Sequence, residues 1–301
     1  MPLWIPITIA AAFLQNLRSA LQRQLARDLT ATSATYVRFL FGLPVALVYL
    51  AVLDGIFGDP LPVPPPEFYV YAFVGGIAQI VGTVLLVALF SHRNFVVGTT
   101  YSKTETVQTA LFSIVVLGET ITLGAGVGIL ISLLGVMAIS VARTNLSPAA
   151  LVTSLTSRTA IMGIGSGAAY GVAAVCYRAG SLSLGMDGFL VPAAFTLAIV
   201  LSIQTALMTV WLLWKDRVSL IATLRNWPSS LAIGVAGALG SVGWFTAMTL
   251  QNAAYVRALG QVELVFTFLV SWLWFKEASN GREISGVILI VGGLVVLVLG
   301  V

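Results

Sequence analysis

Two glutamates, Glu105 and Glu263, stand near the middle of apolar segments long enough to cross a bilayer. A charge at the centre of an inserted helix costs roughly 2.5–3.5 kcal/mol on insertion scales, so it needs a counter-charge, a wet cavity or a route to the surface. Glu105 lies about ten residues into its segment and Glu263 about nine; at ~1.5 Å per residue both are near the midplane. Each heads a stripe. Glu105, Thr109 and Ser113 recur every four residues, as do Glu263, Thr267 and Ser271, and Tyr101 extends the first series by one turn. Side chains four apart share a helix face. Two such faces can line a hydrated cavity whose carboxylates bind a substrate or a coupling ion. The competing reading is that the hydroxyls bond their own backbone carbonyls while each Glu pairs with a basic neighbour.

Lys103 and Arg257 lie in the same two segments. Lys103 is two residues from Glu105, on the other side of a helix, so a carboxylate or amide of another helix is its expected partner. Arg257 is nearer the end of its segment and within reach of lipid headgroups. A cavity holding both signs suits a zwitterion; mutual neutralisation fits the same residues. Gln108, Thr109, Gln261 and Thr267, with Tyr101 and Lys103, complete the candidate binding set, and Trp244 is added as a ring on which a substrate can stack. Gln79, Tyr170, Tyr177, Gln204 and Gln251 are weaker candidates. Gln15, Arg18 and Gln22 share one face of the first segment and, with Arg257, form a possible gate, although a near-terminal Arg more often snorkels to the surface. Arg38 is read as snorkelling. No cluster of residues has the spacing of a metal site, and no metal or cofactor is expected.

The elements that must position these residues are helices in lipid. Of the 301 residues 58% are hydrophobic and 9% charged, against roughly a quarter charged in soluble proteins. A soluble enzyme, a nucleic-acid module and a disordered scaffold are excluded. Ten segments qualify as spans of ~20 residues: 3–25, 34–53, 68–90, 95–117, 121–142, 160–179, 188–213, 228–250, 254–275 and 283–301. Met1–Leu17 lacks a basic leading region and is read as part of the first span, not a signal peptide. No Gly-rich loop ending in Gly-Lys-Ser/Thr is present, so an ATP motor within this chain is excluded.

Lys and Arg settle the expected orientation. Arg23, Arg27, Arg93, Arg143, Arg158, Lys215, Arg217, Arg225, Lys276 and Arg282 fall in one set of connections and Arg178 alone in the other. The first set is expected in the cytoplasm and both termini outside, in a bacterial cytoplasmic (inner) membrane. A shift of 158 residues aligns the halves: Gly76 with Gly234, Gly82 with Gly240, Glu105 with Glu263, Thr109 with Thr267, Ser113 with Ser271, Glu119 with Glu277, Gly128 with Gly286 and Gly135 with Gly293. Four of the six glutamates fall into matched pairs. Five spans per half is an odd number, so the halves insert in opposite senses, as in many secondary transporters. The expected organisation is a first repeat over 1–145, a linker over 146–159 and a second, inverted repeat over 160–301. Gly163, Gly167 and Gly171, and Gly234, Gly237, Gly240 and Gly243, mark close helix contacts. Glu119 and Glu277 are read as caps of the helices that follow.

A Glu closing the fourth span (Leu117-Gly118-Glu119) and the ninth (Phe275-Lys276-Glu277), each followed by glycines at +9 and +16, resembles the EamA-type families of the drug/metabolite transporter superfamily. The likeness covers nearly the whole chain. It implies a two-repeat bundle around a central cavity that moves small metabolites, often amino acids outward, by alternating access. Many relatives carry a proline midway along the fourth or ninth helix; neither segment has one here.

The expectation is an all-α integral membrane protein of ten helices, acting as a secondary transporter of a small polar metabolite, with one repeat rocking against the other. Its expected partners are a small-molecule substrate, the lipid bilayer and, where a carboxylate carries coupling, protons; nucleic acid is not among them. The expected state is a monomer or weak homodimer. A non-transporting assembly or sensor subunit is the alternative. A membrane-embedded enzyme is poorly supplied by one cysteine and one histidine.

Overall fold

A computed structural model describes residues 1–25, 31–58, 61–89, 92, 95–142, 155–225, 227–273, 276 and 280–301. Regular structure among them is helical throughout: α1 Trp4–Leu25, α2 Ala31–Phe57, α3 Pro66–Leu89, α4 Phe95–Ser102, α5 Glu105–Leu117, α6 Leu123–Ala142, α7 Arg158–Ser183, α8 Leu190–Lys215, α9 Arg217–Arg225, α10 Trp227–Leu250, α11 Ala253–Leu259, α12 Val262–Leu273 and α13 Gly281–Gly300. Eight stretches among the described residues are long and apolar enough to cross a membrane. Two of the ten expected spans are not among the eight. The first carries Gln15, Asn16 and Arg18, and the fourth is divided into α4 and α5.

The chain folds as two compact units, and neither is one half of the sequence. Unit 1 joins Met1–Ile80 to Cys176–Gln251; unit 2 joins Val81–Val175 to Asn252–Val301. In unit 1, α10 packs on α1 and α2, and α8 on α2 and α10. In unit 2, α6 and α13 form the most extensive pair, α11 packs on α5, and α12 on α13.

Glycine sets the closeness of α6 and α13. A Cβ at Gly135 would lie 2.6 Å from the Gly286 carbonyl oxygen, and one at Gly128 would lie 2.7 Å from that of Gly293. The backbones touch where any side chain would hold them apart. Gly128 and Gly286 are repeat partners, as are Gly135 and Gly293, and the contacts exchange them. The two helices therefore run antiparallel, as opposite insertion of the repeats requires.

The fourth and ninth segments are each interrupted, and the interruptions fall at matched places. Lys103 and Thr104 separate α4 from α5; Gly260 and Gln261 separate α11 from α12. Continuous helices over 95–117 and 254–275 were expected, since a break without proline leaves no trace in the hydrophobic pattern. At the first break the chain tightens into three-residue hydrogen bonds, Lys103 N–H to Thr100 O at 3.1 Å and Thr104 N–H to Tyr101 O at 3.1 Å. The Thr104 hydroxyl adds a bond to Tyr101 O at 2.6 Å, and that of Ser102 one to Thr99 O at 2.8 Å. The second break has the same three-residue pattern at Gln261, Glu263 and Leu264. Backbone groups freed inside lipid must find such partners.

The caps differ from expectation. Thr122, whose hydroxyl accepts from Ala125 N–H at 3.2 Å, opens α6, while Glu119 lies in the turn after Gly118. Asn280 and Glu283 form a reciprocal capping box at the start of α13; Glu277 lies outside the described residues.

Candidate functional site

Both breaks place a carboxylate at the start of a half-helix: Glu105 is the first residue of α5 and Glu263 the second of α12. Unpaired N–H groups and the helix dipole favour negative charge there. The cations stand at the opposite kind of end. Lys103 follows the last residue of α4, and Arg257 is in the last turn of α11. Local backbone geometry thus stabilises all four charges before any pairing is counted.

The pairing is crossed between the repeats and lies wholly within unit 2. Lys103 Nζ meets Glu263 Oε1 at 3.1 Å, and Arg257 meets Glu105. Each carboxylate takes its cation from the other repeat. The expectation that Lys103 reaches another helix agrees with this contact. For Arg257 headgroup contact and mutual neutralisation were both open, and it meets a carboxylate. The two pairs differ in exposure. Side chains of Lys103 and Glu263 are 30% and 19% exposed, against 19% and 12% for Arg257 and Glu105.

The first stripe is packed. Thr109 and Ser113 are fully buried, and the Thr109 hydroxyl donates to Glu105 O at 2.7 Å. Their face lies against the glycines of α7: a Cβ at Gly171 would come 3.0 Å from Thr109 Oγ1, and one at Gly167 2.9 Å from Ser102 O. Gln108 bridges the same helices, donating to Thr104 Oγ1 at 2.7 Å and Ile164 O at 3.4 Å. Tyr101 falls across the break into an apolar cluster with Val97, Val141 and Ala160, so the stripe stops at Glu105. The second stripe is open. Thr267 is exposed and donates to Glu263 O at 2.9 Å, and Ser271 is half-buried. At the second break Gln261 is 7% exposed, and its Oε1 is buried with no hydrogen-bond partner among the described residues.

The remaining candidates lie elsewhere. Trp244 is buried in α10 of unit 1. Gln15 and Arg18 are half-buried on α1 in the same unit, Arg257 belongs to unit 2, and the side chain of Gln22 lies outside the described residues. Three weaker candidates do gather in unit 1. Gln204, fully buried, donates to Gln79 Oε1 at 2.7 Å and to Gly76 O at 3.2 Å, and Tyr177 donates to Gly75 O at 3.0 Å. Arg178 was counted among loop charges. It lies inside α7, and its guanidinium donates to Met248 O at 2.6 Å and Gln251 O at 2.8 Å. A cation closing the carbonyl end of α10 is the favourable end of the dipole. Its place near the end of an apolar run made it look like a connection.

One solved crystal structure of a protein, 17% identical in sequence, matches with a TM-score of 0.73 over 98% of this chain and 96% of that one, which shows the fold. The pseudopaline exporter CntI of Pseudomonas aeruginosa, in strains UCBPP-PA14 and PAO1, is 35% identical over 91 residues. That match spans 30% of this chain and 32% of the length of the exporter. The profile of the EamA-like transporter family matches twice, over residues 2–141 and 157–299, nearly the whole chain in two repeats. This multi-pass membrane protein belongs to the EamA-like transporter family.

Proposed function

We propose that the chain is a secondary transporter that exports a zwitterionic metabolite, an amino acid or a related amine, across a bacterial cytoplasmic membrane by alternating access. The observation that carries this reading is the crossed pairing of four charges at two matched helix breaks. Interrupted helices present half-helix ends of both signs at mid-membrane, where they can hold the two ends of one ligand. A zwitterion carries one group of each sign. Its ammonium competes with Lys103 for Glu263 while its carboxylate competes with Glu263 for Lys103. The more exposed pair therefore opens to cargo, and the closed Arg257–Glu105 pair fixes the break. The buried Gln261 Oε1 supplies a further acceptor for an ammonium. A proton is the alternative occupant of Glu263, and would couple export to the proton gradient.

The rest of the reading follows the membrane. Ten spans, both termini outside and a monomer or weak homodimer are the proposed arrangement, with one repeat rocking against the other. Withdrawal of Arg178 into the end of α10 sharpens the charge bias that supports this orientation. Export is supported by the partial match to the pseudopaline exporter CntI.

Purified protein in liposomes tests the proposal with labelled amino acids, amines and sugars. Saturable movement of a zwitterion or amine is expected, abolished by Glu263→Gln and competed by unlabelled cargo. If no solute in that screen crosses, the transporter reading is overturned, and an assembly or sensor role takes its place. If Glu105→Gln and Glu263→Gln both leave transport and its pH dependence unchanged, neither carboxylate binds cargo or proton.

A further inference from the structure

The short helix α9 joins two consecutive stretches that are long and apolar enough to cross a membrane, Leu190–Lys215 and Ser230–Leu250, so it lies at one membrane face. α8, with 26 residues, extends about 39 Å at ~1.5 Å per residue. The hydrocarbon layer is only ~30 Å thick, and the last turn of α8, residues 211–215, has the length to reach headgroup level. Trp211 and Trp214 in that turn, and Trp227 at the start of α10, are exposed. Indoles gather at the lipid–water boundary. The Lys215 ammonium lies over the Trp214 ring, 4.4 Å from its centre.

At ~100° per residue the nine residues of α9 divide into two arcs. One faces protein. Ser219 and Thr223 on it are buried, and Ala222 beside them packs against Val37 of α2 and Ile233 of α10. Polar bonds seat this arc: the Ser33 hydroxyl of α2 donates to Ser219 O at 3.3 Å, and the Thr223 hydroxyl donates to the same carbonyl at 2.9 Å. The other arc holds Val218, Ile221 and Leu224, which are 79%, 55% and 52% exposed, with the exposed Arg217 and Arg225 at its two ends. A helix on a soluble surface turns its apolar stripe to the protein and its polar residues outward. In α9 the hydroxyls point in and the branched hydrocarbon points out. Water disfavours such a face, and pure hydrocarbon disfavours its arginines. The headgroup boundary accommodates both.

Charge selects among headgroups. Residues 215–229 contain three cations, Lys215, Arg217 and Arg225, and one acid, Asp216. The Asp216 carboxylate accepts from Ser219 N–H at 3.0 Å and so is held in the first turn of the helix. Arg217 Nε donates to Leu213 O at 2.8 Å, which steadies the side chain with one of its five N–H donors. The guanidinium fork matches the paired oxygens of a phosphate.

We propose that the outer face of α9 seats in the headgroup layer and binds anionic phospholipid, with Lys215, Arg217 and Arg225 holding the phosphate. The test uses the full chain in nanodiscs, with Cys176→Ala removing the single, buried native cysteine and Ile221→Cys carrying an NBD fluorophore. Phospholipids with a spin label on the acyl chain near the headgroup are expected to quench this fluorophore. No quenching by lipid overturns the proposal, and quenching by aqueous iodide in that case marks the face as open to water or to a soluble partner. At equal mole fraction, spin-labelled phosphatidylglycerol is expected to quench more strongly than spin-labelled phosphatidylcholine. That preference should fall by up to about fivefold for each of Lys215→Gln, Arg217→Gln and Arg225→Gln. It should also narrow in the unsubstituted face as salt is raised, a readout that does not depend on how the glutamine variants fold. Equal quenching by the two lipids, or a preference that survives both high salt and the triple glutamine variant, overturns the proposal. The readout is lipid contact, so it stands or falls whether or not any solute crosses the membrane.

Discussion

Glu105 and Glu263 occupy matched positions in the two repeats, yet their surroundings have diverged. Glu105 begins a helix whose polar face is sealed against the glycines of α7, and Arg257 closes over its carboxylate. Glu263 begins a helix whose equivalent face is open: Thr267 is exposed, and Lys103 keeps 30% of its side-chain surface. The same motif therefore serves as a fastening in one repeat and as an accessible charge pair in the other. On the proposed function, such divergence in a two-fold architecture is what would give transport a polarity. A site symmetric in sequence would offer the same affinity from both sides.

The largest expected effect breaks the fastened pair. Arg257→Ala leaves Glu105 charged and enclosed, and removing one partner of a buried pair costs about 3–5 kcal/mol. Lys103→Ala leaves Glu263 with greater exposure and a helix N-terminus, so its cost is expected to be well under half of that. Thermal unfolding of the two variants in one detergent checks the ranking. Equal losses would mean the pairs are energetically alike and the difference in exposure is unimportant. Next in size is Gly171→Val. A side chain there enters the space of Thr109 Oγ1, already 3.0 Å from a Cβ, and overpacking typically costs about 1–3 kcal/mol. Thr267, on the equivalent face of α12, is exposed, so a valine there should fold normally.

The pairing of the repeats and the close contacts at Gly167 and Gly234 were legible in the sequence because they are matters of spacing. The breaks were not. Lys103-Thr104 and Gly260-Gln261 contain no proline, and a helix interrupted by three-residue hydrogen bonds keeps the same apolar composition as an intact one. Which carboxylate meets which cation was likewise hidden, since both pairs join residues about 150 positions or more apart in the chain. The capping box at Asn280 and Glu283 is written in the sequence as Asn-x-x-Glu. Arg178 shows a different limit: an Arg late in an apolar run looks like a boundary whether or not the helix continues past it.

A smaller effect sharpens the contrast between the stripes. Thr109→Val keeps the shape of a fully buried side chain and removes its bond to Glu105 O, a loss of about 0.5–1.5 kcal/mol. On the proposed reading that water reaches this face, Thr267→Val removes the equivalent bond where water replaces it, and is expected to stay within ~0.5 kcal/mol. If the two valines cost the same, the second stripe is as dry as the first and the accessible role of Glu263 loses its basis.

The smallest effect lies outside the membrane spans and serves as the pH control for all of the above. Asp216, between α8 and α9, accepts from Ser219 N–H at 3.0 Å. The Ser219 side chain and then its backbone hold the carboxyl below its ordinary value. A group whose folded pKa is depressed contributes stability above its unfolded pKa and loses it as pH falls through the folded one. Wild type should therefore lose slightly more stability than Asp216→Asn in the acid range, and the two should run parallel at neutral pH, since Asn also caps a helix. Because Asp216 is only partly buried, the difference should be near the limit of measurement. A large acid-range difference between these two would mean that the connection itself titrates strongly. In that case pH profiles of Glu105 and Glu263 variants would have to be compared in the Asp216→Asn background.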